Sequence, residues 1–227
     1  MSGARVFERL AETFGKRLRN DCPYLLEEPL TISCLNVDQA IGNPVPFTDF
    51  ALQRGEERLV EAAFRGAKGQ AFTSSPSSWQ GTVADLLDLP PENDRNRAFF
   101  TAGVNAVGRH LGWGEKTVHC RDASPKRCGE TMGKHLAGEL GPGERVALVG
   151  YQPAILGGLA AALGSGRVCV LDLNPENIGR TVSGVTILDG EKDLPAAASR
   201  SDAALVTGSA LTNGTIDGIL EAFGGKR

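Results

Sequence analysis

Apolar residues in the second half of the chain form short continuous runs, and helix-like segments lie between them. Continuous apolar runs are typical of parallel strands whose two faces are both covered. Strands that alternate with helices over short links predict a Rossmann-like parallel sheet. The predicted strands are 145–150, 167–174, 185–190 and 202–208, and the predicted helices are 125–140, 152–163 and a last one ending near 223.

The first half of the chain mixes the two periodicities without strict alternation. Helices that follow strands in this way predict an α+β domain. The predicted elements are a helix over 4–19, strands over 30–35, 58–65 and 69–73, a loop over 72–82 and a helix from 94 or 96 to about 111. We therefore expect an α/β protein of two domains, an α+β domain over 1–118 and a Rossmann-like domain over 119–227.

Net charge, apolar segments and cysteine content limit the partners and the cellular location that the sequence predicts. The chain of 227 residues carries a net charge of −3, which argues against a basic nucleic-acid platform and against electrostatic binding to anionic lipid. Because no signal peptide and no membrane-spanning apolar stretch is recognisable, we expect a cytoplasmic protein. Its five cysteines are odd in number and irregularly spaced, so we expect free thiols rather than a disulfide framework.

Polar residues follow the predicted parallel strands at the edge where ligands bind in such sheets. The first group is the turn Gly150, Tyr151, Gln152 and Pro153, which leads into a helix start that favours an anion. Asp172 ends the next strand, 22 residues after Gly150, where an acid accepts ribose hydroxyls in nucleotide-binding sheets.

A polar loop after the last predicted strand, residues 207–215, completes this edge. Each feature alone is also typical of an ordinary turn or helix cap, and the G-x-G-x-x-G fingerprint is absent. Their convergence on one edge of one sheet predicts a binding crevice without identifying its ligand.

A second candidate site lies between the two predicted domains. His119, Cys120 and Cys128 offer the imidazole and thiolate ligands that transition metals prefer, and His135 is a further ligand if it faces inward. The Cys-x7-Cys spacing does not match a zinc knuckle. The alternative is that Cys128 is an ordinary residue on a buried helix face with Met132 and Leu136.

Several stretches together resemble one family. The chain is similar, over about residues 55–220, to the bacterial and archaeal proteins of the heavy-metal chelation family, whose function is poorly defined. In that family an enolase-N-terminal-like α+β domain precedes a Rossmann-like domain. The resemblance is carried by residues 66–82, 96–112, 117–130, 146–155, 172–190 and 205–217.

The resemblance implies a ligand site in the cleft between the domains. The positions that match the family are His119, Cys120 and Cys128 for a metal, the turn Tyr151 to Pro153, and the polar crevice residues Asn174, Asn177, Thr207, Ser209, Asn213 and Thr215. Members of the family usually continue with another strand after the last helix, so we expect the sheet to lack its last strand. An open edge of this kind favours a homo-oligomer.

Two functions from different classes follow. The first is a small-ligand or metal (metal-complex) binding protein, with a transition metal ion as its cofactor or cargo. The alternative is an enzyme that uses a nucleotide-like cosubstrate, such as S-adenosylmethionine or a dinucleotide, since transfer from a sulfonium needs mainly positioning and desolvation. A purely structural or partner-binding domain is a third alternative.

Overall fold

A computed structural model describes residues 6–44, 49–55 and 57–226. Its N-terminal part contains five helices, four strands and one 3₁₀ turn among the described residues. In chain order these elements are α1 Val6–Asp21, the 3₁₀ turn Pro23–Leu25, β1 Pro29–Leu35, α2 Val37–Ala40, α3 Ala51–Arg54, β2 Arg58–Phe64, β3 Ala67–Thr73, β4 Trp79–Thr82, α4 Val83–Leu87 and α5 Asp94–His110.

The C-terminal part alternates helices and strands, as the sequence predicts. Its elements are α6 Ser124–Glu139, β5 Val146–Val149, α7 Pro153–Leu163, the 3₁₀ turn Ser165–Arg167, β6 Val168–Asp172, β7 Thr181–Val182, β8 Val185–Asp189, α8 Leu194–Arg200, β9 Ala203–Val206, α9 Ser209–Thr212 and α10 Ile216–Ala222. Among the described residues, no helix is both long enough and apolar enough to cross a bilayer.

The first four strands form an antiparallel sheet in the order β3-β2-β1-β4. β2 and β3 form a hairpin in which Phe64 pairs with Ala67. Arg65 and Gly66 connect them with φ angles of +46° and +82°, the left-handed conformation that two-residue hairpin turns require. The turn is therefore shorter than the 66–69 connection that the sequence predicts.

Helices α1, α4 and α5 supply the apolar residues that cover one face of this sheet. Phe14 and Leu18 of α1 join Phe99 and Val107 of α5 in a single buried cluster with the strand residues. The sequence pattern predicts both helices closely. Helix α1 continues two residues past its predicted end, to Asp21, and residues 4 and 5 of the predicted helix lie outside the described residues.

The second sheet has the order β7-β8-β6-β5-β9. β5 pairs in parallel with β6 and with β9, and β6 pairs in parallel with β8. The two-residue strand β7 pairs antiparallel with β8. All four residues of β5 are buried, which explains why this strand reads as an uninterrupted apolar run. The predicted α+β part followed by a Rossmann-like part is confirmed.

Helices α6 and α7 approach each other at glycines. A Cβ atom built at Gly129 would lie 2.0 Å from the Ala154 carbonyl oxygen, and one built at Gly133 would lie 2.2 Å from the Gly158 carbonyl oxygen. Since these neighbours are backbone atoms, they have no rotamer through which to move away. The two helices therefore touch main chain to main chain.

Both compact units of the fold are discontinuous along the chain. The first unit comprises the described residues of 1–41, 51–119 and 208–217, and the second comprises those of 42–50, 120–207 and 218–227. The sequence prediction has one change of domain, after residue 118. In the structure the main boundary between the units lies between His119 and Cys120. In addition, residues 42–50 belong to the second unit and residues 208–217 belong to the first.

Three local expectations differ from the structure. Residues 72–82 were predicted as a loop, but Trp79–Thr82 is a strand because it pairs with β1. Helix α6 begins at Ser124, one residue before the predicted start at 125, and Ala123 is its N-cap. The short helices α4, α8 and α9 are not among the predicted elements, because each is too short for its apolar residues to repeat with a helical period.

Candidate ligand site at the edge of the parallel sheet

The turn after β5 is shaped by Gly150. This residue has a φ of +92°, and its N–H donates to the Leu171 carbonyl oxygen at 2.8 Å. A Cβ atom there would lie 2.5 Å from Cγ2 of Thr207. Only glycine therefore allows the chain leaving β5 to pass this close to the chain leaving β9.

Gln152 and Thr207 join the ends of β5 and β9. Nε2 of Gln152 donates to Oγ1 of Thr207 at 3.1 Å, and the Thr207 N–H donates to the Val149 carbonyl oxygen at 2.9 Å. Because β5 leads through α7 to β6 on one side while β9 lies on the other, this is the point where the strand order changes direction. Open parallel sheets bind their ligands at such points.

Helix α7 begins at this same place. Gln152 is its N-cap residue and Pro153 its first helical residue. The Leu156 N–H donates to the Gln152 carbonyl oxygen, while helix geometry leaves the N–H groups of Ala154 and Ile155 without an acceptor inside the helix. The predicted turn of Gly150 to Pro153 thus has the backbone arrangement that suits an anion.

Asp172 holds the loops of this edge together. Its Oδ2 accepts from the Tyr151 N–H at 2.7 Å, and its Oδ1 accepts from the Asn174 N–H at 2.9 Å and from Nδ2 of Asn177 at 3.0 Å. A carboxylate offers about four acceptor positions. Hydrogen bonds within the protein use three of these positions. One acceptor position of Asp172 is therefore left for a ribose hydroxyl, the role that the sequence predicts.

Asn174 and Asn177 shape the loop after β6. The Asn174 side chain accepts from the Glu176 N–H at 2.9 Å, and its carbonyl oxygen accepts from the Asn177 N–H at 2.9 Å. Asn177 is buried, with 3% of its surface exposed. Its amide oxygen accepts from Nη1 of Arg180 at 2.9 Å. Both asparagines therefore build the edge, and Asn177 connects Asp172 to Arg180.

Two residues of this edge escape sequence reasoning, namely Asp49 and Arg180. Oδ2 of Asp49 accepts from the Tyr151 hydroxyl at 2.6 Å and pairs with Nη2 of Arg180 at 3.2 Å. Asp49 is 102 residues from Tyr151 and 131 residues from Arg180 along the chain. Asp49 lies outside every stretch that resembles the family, and Arg180 lies in the 172–190 stretch without a predicted role, so no local sequence signal predicts this contact.

The remaining residues of the predicted crevice loop belong to the other unit. Ser209 begins α9 and is buried, and Thr212 at the end of α9 donates to the Ser209 carbonyl oxygen. Oδ1 of Asn213 accepts from both the N–H and the hydroxyl of Thr215, at 3.1 and 2.8 Å. Asn213 and Thr215 thus form a local turn ahead of α10 within the first unit.

His119 lies along the outer edge of β3 in the first unit. Its N–H donates to Oε1 of Gln70 at 2.6 Å, and its ring meets the Phe72 ring edge-on with 5.2 Å between centroids. The preceding Thr117 carbonyl oxygen accepts from the Gln70 N–H at 2.9 Å. The segment carrying His119 therefore covers the edge of the antiparallel sheet.

Cys120 and Cys128 belong to the second unit. Cys120 is partly exposed and Cys128 is exposed on α6, so the alternative of a buried helix face at Cys128 is wrong. The buried face of α6 is formed instead by Gly129 and Gly133, which adjoin α7. His135 is also exposed.

The described part of the chain contains no group of three or more His, Cys, Asp or Glu side chains arranged to hold a metal ion. The set His119, Cys120 and Cys128 stays a prediction from the sequence. Elsewhere, burial raises the pKa of the Cys169 thiol, which keeps that sulfur protonated and disfavours it as a metal ligand.

Comparison with known proteins supports the resemblance that the motifs indicate. Residues 135–227 match the DUF364 family model, described as "Putative heavy-metal chelation". The chain is also similar to the crystal structure of a DUF364 protein of unknown function from Pyrococcus horikoshii, with a TM-score of 0.50 and 14% identity, over 92% of this chain and 74% of that chain. This likeness shows the fold. No curated protein matches the chain.

Proposed function

We propose that this relative of the heavy-metal chelation family binds a small ligand at the carboxyl edge of its parallel sheet. The observation that carries the proposal is the contact of Gln152 with Thr207 beside Gly150. It joins two strand ends where the strand order changes direction, directly in front of the first turn of α7. Parallel sheets use this position for ligands, and the helix start favours a negatively charged group.

The ligand class is a metal complexed by an organic anion. The description of the matching family supports a metal. The polar side chains at the edge offer oxygen and nitrogen atoms, and Asp172 is largely occupied by internal hydrogen bonds. Since the described residues hold no three-ligand group for a bare ion, a heavy metal would bring its own ligands, and the protein would hold the complex through the anion.

The proposal is tested by asking what the purified protein carries. We expect wild-type protein, purified without added metal, to release a metal and an organic anion in matching amounts, as measured by elemental analysis and mass spectrometry. The double variant Gln152→Ala and Thr207→Val removes the polar pair at the edge, and we expect it to lose both components. The matched variant Cys120→Ser and Cys128→Ser removes two thiols and should keep them.

The opposite pattern would contradict the proposal. Metal retained by the edge variant and lost from the thiol variant would identify the predicted set of His119, Cys120 and Cys128 as the site. A nucleoside released without metal would favour the enzyme that uses a nucleotide-like cosubstrate. Thermal unfolding of each variant serves as the control that the sheet is intact.

A further inference from the structure

Two hydrogen-bond donors converge on one point beside the edge of the parallel sheet. The Tyr151 hydroxyl and Nη2 of Arg180 both reach Oδ2 of Asp49, at 2.6 and 3.2 Å. The Arg180 guanidinium carbon lies 5.9 Å from the centroid of the Tyr151 ring. A neutral hydroxyl and a guanidinium directed at one oxygen are the partners that a carboxylate prefers.

Both donors are held by the sheet and not by Asp49. The Tyr151 N–H is bonded to Asp172, and Tyr151 is 8% exposed. The Arg180 carbonyl oxygen accepts from the Ile187 N–H of β8 at 2.9 Å, and Nη1 of Arg180 donates to the buried Asn177. None of these contacts involves Asp49, so we expect both donors to keep their positions when the Asp49 carboxylate is removed.

Asp49 itself comes from outside the sheet. It precedes α3 and lies in neither a helix nor a strand. The side chains of Asp49 and Arg180 are 28% and 39% exposed, so a dissolved carboxylate has access to the pair. The arrangement is that of a fixed binding position whose present occupant belongs to a separate segment of the same chain.

We infer that Tyr151 and Arg180 form a carboxylate-binding cradle for the ligand, and that Asp49 occupies this cradle as an internal competitor. The inference rests on the proposed function, since it assigns the organic anion as a carboxylate and names the residues that recognise it. A ligand carboxylate would replace Asp49 by exchanging one charge-assisted pair for another. The affinity of the protein for its ligand is then set partly by how readily Asp49 leaves.

The test measures citrate binding to the full chain by isothermal titration calorimetry. Asp49→Asn keeps the size of the side chain but removes its charge, so citrate should bind this variant about tenfold more tightly than wild type. Adding Arg180→Gln to Asp49→Asn should abolish that gain, and adding Tyr151→Phe should reduce it. Asp88→Asn makes the same charge change at a side chain that is 78% exposed, and should leave the affinity within about twofold.

Equal citrate affinity in wild type and Asp49→Asn, or a gain that survives Arg180→Gln, would overturn the cradle. If Asp49→Asn does not fold, Arg180→Gln alone decides, because the cradle requires weaker citrate binding there and unchanged binding would refute it. These results are separable from the proposed function. A ligand that is lost on changing Gln152 and Thr207 but is indifferent to Asp49 and Arg180 would remove the cradle alone.

Discussion

Replacing Gly129 by alanine should lower the free energy of unfolding by about 3 kcal/mol. The added methyl group would lie 2.0 Å from the Ala154 carbonyl oxygen, which is backbone and has no rotamer to escape into. Helices α6 and α7 must then separate, and close packing is lost along their whole contact. Chemical denaturation of the purified variant measures the change.

Gly138→Ala is the matched control on the same helix. A Cβ atom at Gly138 meets nothing within 4 Å, and the residue is exposed. Alanine is favoured over glycine in a helix, so the free energy of unfolding of this variant should rise by about 0.5 kcal/mol. Similar effects of the two substitutions would show that α6 and α7 do not meet through their main chains.

Asp172→Ala should cost about 3 kcal/mol of unfolding free energy, because it leaves three donors without their acceptor. These donors are the N–H groups of Tyr151 and Asn174 and the side-chain amide of Asn177. Asp172→Asn keeps one acceptor oxygen and should lose roughly half as much. Thermal and denaturant unfolding, followed by circular dichroism, report both values.

Asp202→Ala supplies the comparison for a less connected carboxylate in the same unit. Asp202 accepts one exposed hydrogen bond through its side chain, from the Arg145 N–H at 2.8 Å, so its loss should cost less than about 1 kcal/mol. If Asp172→Ala were no more destabilising than Asp202→Ala, then Asp172 would not hold the edge together. An unchanged unfolding free energy in the Asp172→Ala variant would instead favour Asp172 as an acid that contacts the ligand.

The elements that the sequence predicts well are those whose burial is continuous or repeats regularly along the element. All of β5 and most of β6 is buried, and α1 and α5 are long enough for their apolar stripes to repeat. β4 was missed because its strand character depends on pairing with β1, which lies about 50 residues earlier in the chain. Pairing with a distant strand cannot be predicted from the composition of the segment itself.

Some residues of the candidate site are also predictable from the sequence, and others are not. Gly150 and Asp172 were recognised because their positions after strands follow from the chain order alone. The sequence does not reveal that Asp172 spends most of its acceptor capacity internally, because that depends on where the Tyr151 and Asn177 donors fall in space. Asp49 and Arg180 are single charged residues in loops, and such residues are more often solvated than paired. Only folding brings them together.

The interleaved path of the chain has a consequence for synthesis on the ribosome. Residues 208–217 complete the first unit, yet they follow nearly all of the second unit in sequence, and residues 42–50 precede the second unit they belong to. Domains that are continuous can fold one after another as they emerge. Here the first unit needs residues 208–217, so we expect it to complete its packing only after most of the second unit has been synthesised.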